Sequence, residues 1–283
     1  MKKFFRWLGF VVLGLIALAV LAIAYIHFAF EREVARQYRV SETLSISLPT
    51  DAAEIAEGKR LAELTGCTHC HAENLGGAVP LEIPGVARFV APNLTTILPG
   101  YSDAELVGLL RRGVKRDGTS AWFMPSQMFR HLHDEDLARI VAWVRTVPVT
   151  EGITERTKIH LMGRFIVAMG DFKSAARQIE EQKAGGPRVD TTGRGAYLVM
   201  NLCSECHGQD LKGEPMAKSP SLVVAKGYSA EAFAKLMSSG IGPGGRTFEL
   251  MTPAAKIRFA NLSTDEVDAI YAFLQSRAGD QAL

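Results

Sequence analysis

Cysteine is scarce: the chain has four in 283 residues. That is too few to frame a fold of this length with disulfides. An excess of either charge is also missing, with 32 Lys and Arg against 30 Asp and Glu. Lys2, Lys3 and Arg6 precede the first apolar run, and beyond Phe30 the balance is 29 against 30. A body so close to neutral carries no basic footprint, so no nucleic-acid partner is expected. No Ser-His-Asp set, paired-carboxylate motif or phosphate loop stands out. No segment alternates convincingly enough to be a strand. With 47% hydrophobic residues, the composition is not that of a disordered chain either. The length suits two ordinary domains better than one large core.

The longest gap in charge runs from Trp7 to Phe30, 24 residues without Asp, Glu, Lys or Arg. As a helix it would measure about 36 Å, enough to cross a hydrocarbon layer of about 30 Å. The basic residues ahead of it place the N-terminus in the cytoplasm and everything after Glu31 outside. A cleaved signal peptide is the competing reading, with Ala22-Ile23-Ala24 as its cleavage motif, but the apolar run continues past that point. Both readings export the body; an uncleaved anchor over residues 1–30, with a connector over 31–50, accounts better for the length.

The body is one unit written twice, over residues 51–149 and 190–283. Cys67-Thr-His-Cys70-His71 aligns with Cys203-Ser-Glu-Cys206-His207. Leu75 and Gly77 fall at the same distances from the first pair as Leu211 and Gly213 from the second. Tyr101-Ser102 aligns with Tyr228-Ser229, followed in step by Gly113 and Gly240, then by Met124 and Met251. The Cys pairs are offset by 136 residues and the later landmarks by 127, so the first copy carries a nine-residue insertion. Val79–Val90, where Pro and Gly cluster, is its expected place, as a loop. Helical patterns recur in both copies: Ala53–Leu64, Asp103–Leu110 behind a Ser102/Glu105 capping box, Glu135–Val147, and a last helix behind Ser263/Glu266. The class is all-α. Residues 150–189 form a linker with one helix near Ile159–Met169, packed on a domain or resting on the membrane surface.

Cys-x-x-Cys-His is the attachment sequence for c-type haem. Each thiol adds to a haem vinyl group, and the adjacent His reaches the iron. A thioredoxin-like redox pair would need βαβ surroundings, and a zinc site would not require a His directly after each second Cys. Two such pentapeptides in matching repeats predict two covalently bound haem c groups, at Cys67, Cys70 and His71 and at Cys203, Cys206 and His207. At this point the chain resembles the class I cytochromes c, specifically membrane-anchored dihaem cytochromes of bacteria. That resemblance covers both repeats. It implies a downstream axial Met and a C-terminal helix crossing the N-terminal one in each copy. Pro92-Asn93-Leu94-Thr95 resembles a family loop near the haem edge, from which Pro220-Ser221-Leu222 departs.

For the sixth ligands the repeat singles out Met124 and Met251, each close to a Pro that holds its segment as a loop. Met128, His131 and His133 compete with Met124; no His follows His207. Arg111, Arg112 and Arg246 are candidate propionate partners or simply solvated cations. Leu61, Trp143, Tyr197 and Phe273 are expected at the helix crossings. His/Met ligation would leave outer-sphere electron transfer as the chemistry. The implied protein is a single-pass, inner-membrane relay with its haem domains in the periplasm. It would take electrons from a dehydrogenase or quinol-oxidising complex and pass them to an oxidase or reductase. A dihaem peroxidase or a haem sensor is the alternative, and would need one displaceable axial ligand.

Overall fold

A computed structural model describes residues 2–39, 46–185, 191–215 and 217–277. The expected boundary at 189/190 and the Gly186-Pro187 that marks it lie outside the described residues. Helix α1 (Lys2–Val34) contains the apolar run as one uninterrupted helix, with most of its apolar side chains turned outward and Phe30 buried.

The first copy opens with α2 (Ala52–Leu64), whose N-cap Asp51 accepts from the backbone of Ala53 and Glu54. A left-handed Gly66 turns the chain into the short α3 (Cys67–His71). The expected loop at Val79–Val90 is instead a hairpin, β1 (Ala78–Ile83) with β2 (Ala87–Ala91), in register Leu81↔Phe89 and Ile83↔Ala87. Ala87, Phe89 and Ala91 are buried while Arg88 and Val90 are less so, an alternation disguised by two alanines. The chain is therefore predominantly helical with one small sheet.

Next come α4 (Leu94–Ile97), α5 (Asp103–Arg112), α6 (Ser126–Phe129) and α7 (Asp134–Thr146). The Ser102/Glu105 capping box starts α5, and left-handed Gly113 ends it. The linker holds two helices rather than the expected one: α8 (Leu161–Met169) and α9 (Ala175–Gly185). It also supplies β3 (Lys158–Ile159), which pairs antiparallel with β2.

The second copy runs through α10 (Arg194–Leu202), α11 (Ser204–His207), α12 (Ala230–Ser239), α13 (Met251–Ile257) and α14 (Thr264–Ser276). Each copy is organised by its first helix crossing its last, α2 on α7 and α10 on α14. Glycines stand at both crossings. A Cβ on Gly58 would lie 2.5 Å from the Arg139 carbonyl carbon, and one on Gly195 would lie 2.7 Å from the Phe273 Cβ. Leu61, Trp143 and Tyr197 are buried there, and Phe273 packs against the same core at its edge. The last helices are tied down alike. Arg145 donates to the Leu98 carbonyl at 2.6 Å, and Gln275 to the Ala225 carbonyl at 2.9 Å.

The two copies share a continuous apolar core. Across their boundary Arg60 reaches Glu266 at 2.9 Å and the Asn261 carbonyl at 3.0 Å, and the Tyr197 hydroxyl donates to Asp136 at 2.5 Å.

Candidate haem-attachment sites

Each Cys pair sits at the mouth of its copy's first helix, where the chain leaves one helix and starts a short second one. All four thiols are free and half-buried. Burial pushes Cys67 and Cys206 up from the ordinary thiol range, Cys70 up to about 11 and Cys203 up to about 12. These are thiols in an apolar setting, where burial outweighs the contacts that favour the thiolate.

The clearest shared feature is at the histidines. His71 Nδ1 lies 2.9 Å from the Pro92 carbonyl, and His207 Nδ1 lies 2.8 Å from the Pro220 carbonyl. A carbonyl only accepts, so in both rings Nδ1 carries the proton and Nε2 keeps its lone pair. Burial pushes both imidazoles down, more than the carbonyl contacts raise them, so both are neutral at pH 7. This is the tautomer and charge state a metal-ligating imidazole needs.

The loops that present those carbonyls are built alike. Gly77 N donates to the His71 carbonyl at 2.8 Å and Gly213 N to the His207 carbonyl at 2.9 Å. Leu94 N then bonds the Leu75 carbonyl, and Leu222 N the Leu211 carbonyl. Leu75 and Leu211 both hold left-handed backbone, at φ 56° and 61°. Asn93 caps α4 by accepting from Thr95 N, and Ser221 accepts from Val223 N in the same place. The departure of Pro220-Ser221-Leu222 from the Pro-Asn pattern thus keeps the capping function. Asn93 additionally donates to the Thr150 carbonyl at 2.8 Å.

Met124 lies in the loop ahead of α6, half-buried against the core. Met251 is also half-buried against the core, but it is the first residue of α13 rather than part of a loop. Pro253 does not prevent this helix, because it occupies the first turn, where a backbone N–H has no intrahelical acceptor. The three competitors of Met124 are otherwise engaged. Met128 is fully buried in the core, His131 bonds Gln209 at 3.0 Å, and His133 stacks on Tyr197 with ring centroids 4.0 Å apart.

An open cleft of about 1080 Å³ separates parts of the two copies. Met124, Gln127, His131, Met200, Cys206 and Leu250 are among the residues on its walls, while Met251 is represented only by its neighbour. Gln127 Oε1 is buried there with no hydrogen-bond partner among the described residues. Four free thiols, two neutral imidazoles with free lone pairs and two thioethers form a donor set that fits two haem c groups. Arg111 is committed to Asp134 and to the Leu132 carbonyl, and Arg246 lies over the Phe248 ring; Arg112 also has a partner.

One residue of the site gave no signal in the sequence. Arg258, 8% exposed, donates from Nε to the Leu64 carbonyl at 3.0 Å and from Nη1 to Glu205 at 2.8 Å. It thereby joins the end of α2, just ahead of the first Cys pair, to Glu205, which lies between Cys203 and Cys206. Its positive charge acts on all four thiols, against the burial that raises them.

Comparison with known proteins agrees with this duplicated architecture. The chain is 29% identical to the fructose dehydrogenase cytochrome subunit of Gluconobacter japonicus, over 56% of this chain and 36% of that protein. It therefore spans about a third of the relative's length. The cytochrome c family model matches twice, at residues 55–148 and 193–278, each time enclosing one Cys-x-x-Cys-His segment. The chain belongs to the cytochrome c family, whose domains carry covalently bound haem c and transfer electrons.

Proposed function

We propose that this chain is a membrane-anchored dihaem relay on the periplasmic side of the bacterial inner membrane. Cys67, Cys70 and His71 hold one haem c and Cys203, Cys206 and His207 the other, with Met124 and Met251 as sixth ligands. Bound there, haem c supplies a one-electron ferric/ferrous couple. The protein's own contribution is to attach, orient and shield.

The observation that carries this reading is the matched pair of histidine–proline contacts, 2.9 Å in the first copy and 2.8 Å in the second. Each fixes the ring's tautomer and aims Nε2 away from the loop, twice over in a duplicated setting. Met124 is favoured over its neighbours because Met128, His131 and His133 already have packing or hydrogen-bond partners. Helix α1 is long and apolar enough to span a membrane, and its basic start orients the body outward. The tether raises the effective concentration of the relay near membrane partners.

The likeness to a dehydrogenase cytochrome subunit supports an exported dehydrogenase as the electron donor, with an oxidase or reductase as acceptor. The test of ligation is optical. The oxidised protein should show the sulfur-to-iron charge-transfer band, and the reduced protein should not bind CO. Met251→Leu and Met124→Leu should each remove about half of that band and open one haem to CO. Unchanged spectra in either variant would reject that Met as a ligand.

A further inference from the structure

The nine-residue insertion of the first copy and the first half of the linker build a single structure with no counterpart among the described residues of the second copy. The β1–β2 hairpin takes β3 as a third strand, and β3 leads directly into α8. His160 N donates to the Val86 carbonyl at 2.9 Å at the entry to α8. Gly163 then lies so close to the hairpin that a Cβ there would be 3.2 Å from the Val86 carbonyl carbon.

Helix α8, LMGRFIVAM, is apolar on two faces. At 100° per residue, Gly163 and Val167 lie together on the face that is buried. Leu161, Met162, Phe165 and Met169 fall within one arc on the other side, at 47%, 54%, 42% and 61% exposure. The helix's one charge, Arg164, turns toward α1. It contacts Glu31 Oε1 and His27 Nδ1, both at 2.9 Å, and lies 4.6 Å from the centre of the Phe30 ring.

That contact sets the depth of α8. An apolar run of about 36 Å exceeds a hydrocarbon layer of about 30 Å by roughly one helical turn. With the basic N-terminus held at the inner headgroups, the turn His27–Phe30 lies at the outer boundary, and α8 lies beside it. The bare apolar arc of α8 is therefore at the level where acyl chains meet headgroups. Arg156 and Lys158, exposed on the segment leading into α8, suit the headgroup side of that boundary.

We propose that the outer face of α8 is a bilayer contact: Leu161, Met162, Phe165 and Met169 enter the outer leaflet and hold the first haem domain against the membrane. The proposal rests on the reading of α1 as a membrane span, and the experiment separates the two. Holoprotein has its four native Cys committed to haem, so an introduced Cys is a unique labelling site. Leu15→Cys in α1, Phe165→Cys and Met169→Cys in α8, and Lys235→Cys on the second copy are labelled with an environment-sensitive fluorophore. Each full-length variant is reconstituted in phosphatidylcholine–phosphatidylglycerol vesicles carrying nitroxides near the headgroup or at mid-chain. The Leu15 label should lose emission to the mid-chain quencher. The Phe165 and Met169 labels should shift to the blue and lose emission to the shallow quencher, beyond the Lys235 background. Quenching at Leu15 with only background loss at both α8 positions overturns the bilayer contact and leaves the span intact. Background loss at Leu15 overturns the span itself, and the contact with it.

Discussion

Replacing Gly58 or Gly195 with alanine puts one methyl group into the tightest helix crossing of either copy. The added carbon at Gly58 would lie 2.5 Å from the Arg139 carbonyl carbon and 3.2 Å from Ile140 N, both backbone atoms of α7. No rotamer change can relieve that. The helices must move apart, and the separation loosens the Leu61, Leu64, Ile140 and Trp143 packing on either side. Overpacking of this kind costs about 1–3 kcal/mol. Alanine's better helix propensity returns about 1 kcal/mol at most. For a domain of about 100 residues each kcal/mol is worth about 4–8 °C, so a net cost near 1 kcal/mol lowers the melting temperature by about 4–8 °C. Melting followed by far-UV circular dichroism and the haem absorption band reads this directly. Gly9→Ala is the control, because nothing lies within 4 Å of a Cβ there. If Gly58→Ala and Gly195→Ala melt no lower than the parent, the crossings are not the close-packed contacts described and the argument fails.

Two further predictions concern charges at the boundary between the copies. Arg258→Met removes a buried cation beside both attachment segments and leaves Glu205 without it. A unit charge about 10 Å from an iron, at an effective dielectric of about 20, is worth about 1.7 kcal/mol, or about 70 mV for one electron. Both midpoint potentials should therefore fall by tens of millivolts in a spectroelectrochemical titration, whereas an effect on one haem alone would contradict the bridging position. At Glu266, burial pushes the carboxyl up, but the Arg60 and Arg194 guanidiniums and the Ser263 N–H outweigh it and hold it below the ordinary 4.5. A depressed carboxylate contributes stability that is full above its unfolded value and disappears as pH falls through its folded value. Acid should thus weaken the contact between the copies below about pH 4.5, and Glu266→Gln should cost about 1–3 kcal/mol at pH 7 while flattening that acid limb in denaturant melts.

Much of the helical framework was legible because its signals are local. Ser102/Glu105 and Ser263/Glu266 are complete capping boxes within four residues, and Gly113 and Gly240, landmarks of the repeat, stop their helices in the left-handed conformation. The hairpin was not legible, since its buried face is Ala87, Phe89 and Ala91, and two methyl groups give little contrast with Arg88 and Val90. Nor was α13, because a Pro near Met251 reads as a breaker unless it is known to occupy the first helical turn. The second linker helix, α9, starts beside a buried Ser120–Ala176 contact with the first copy, and its charged sequence shows no long apolar stripe of its own. At the sites, the Cys and His positions follow from spacing alone. The Pro92 and Pro220 carbonyls were visible only as repeat partners, because a backbone acceptor leaves no side-chain signature.

Arg258 bears on why the duplication is more than two beads on a string. A guanidinium at 8% exposure is expensive unless its donors are used; Nε and Nη1 are spent on opposite sides of the boundary, while Nη2 is buried with no hydrogen-bond partner among the described residues. Separating the copies would strand that charge, strip Arg60 from Glu266 and break the Tyr197–Asp136 bond, besides exposing the shared apolar core. The coupling also reaches the attachment loops, since Glu205, between Cys203 and Cys206, adds to the burial that raises Cys70 in the other copy. Cys70 therefore lies within the electrostatic field of Glu205 and Arg258 of the second copy, and the single charge of Arg258 acts on the thiols of both attachment sites at once.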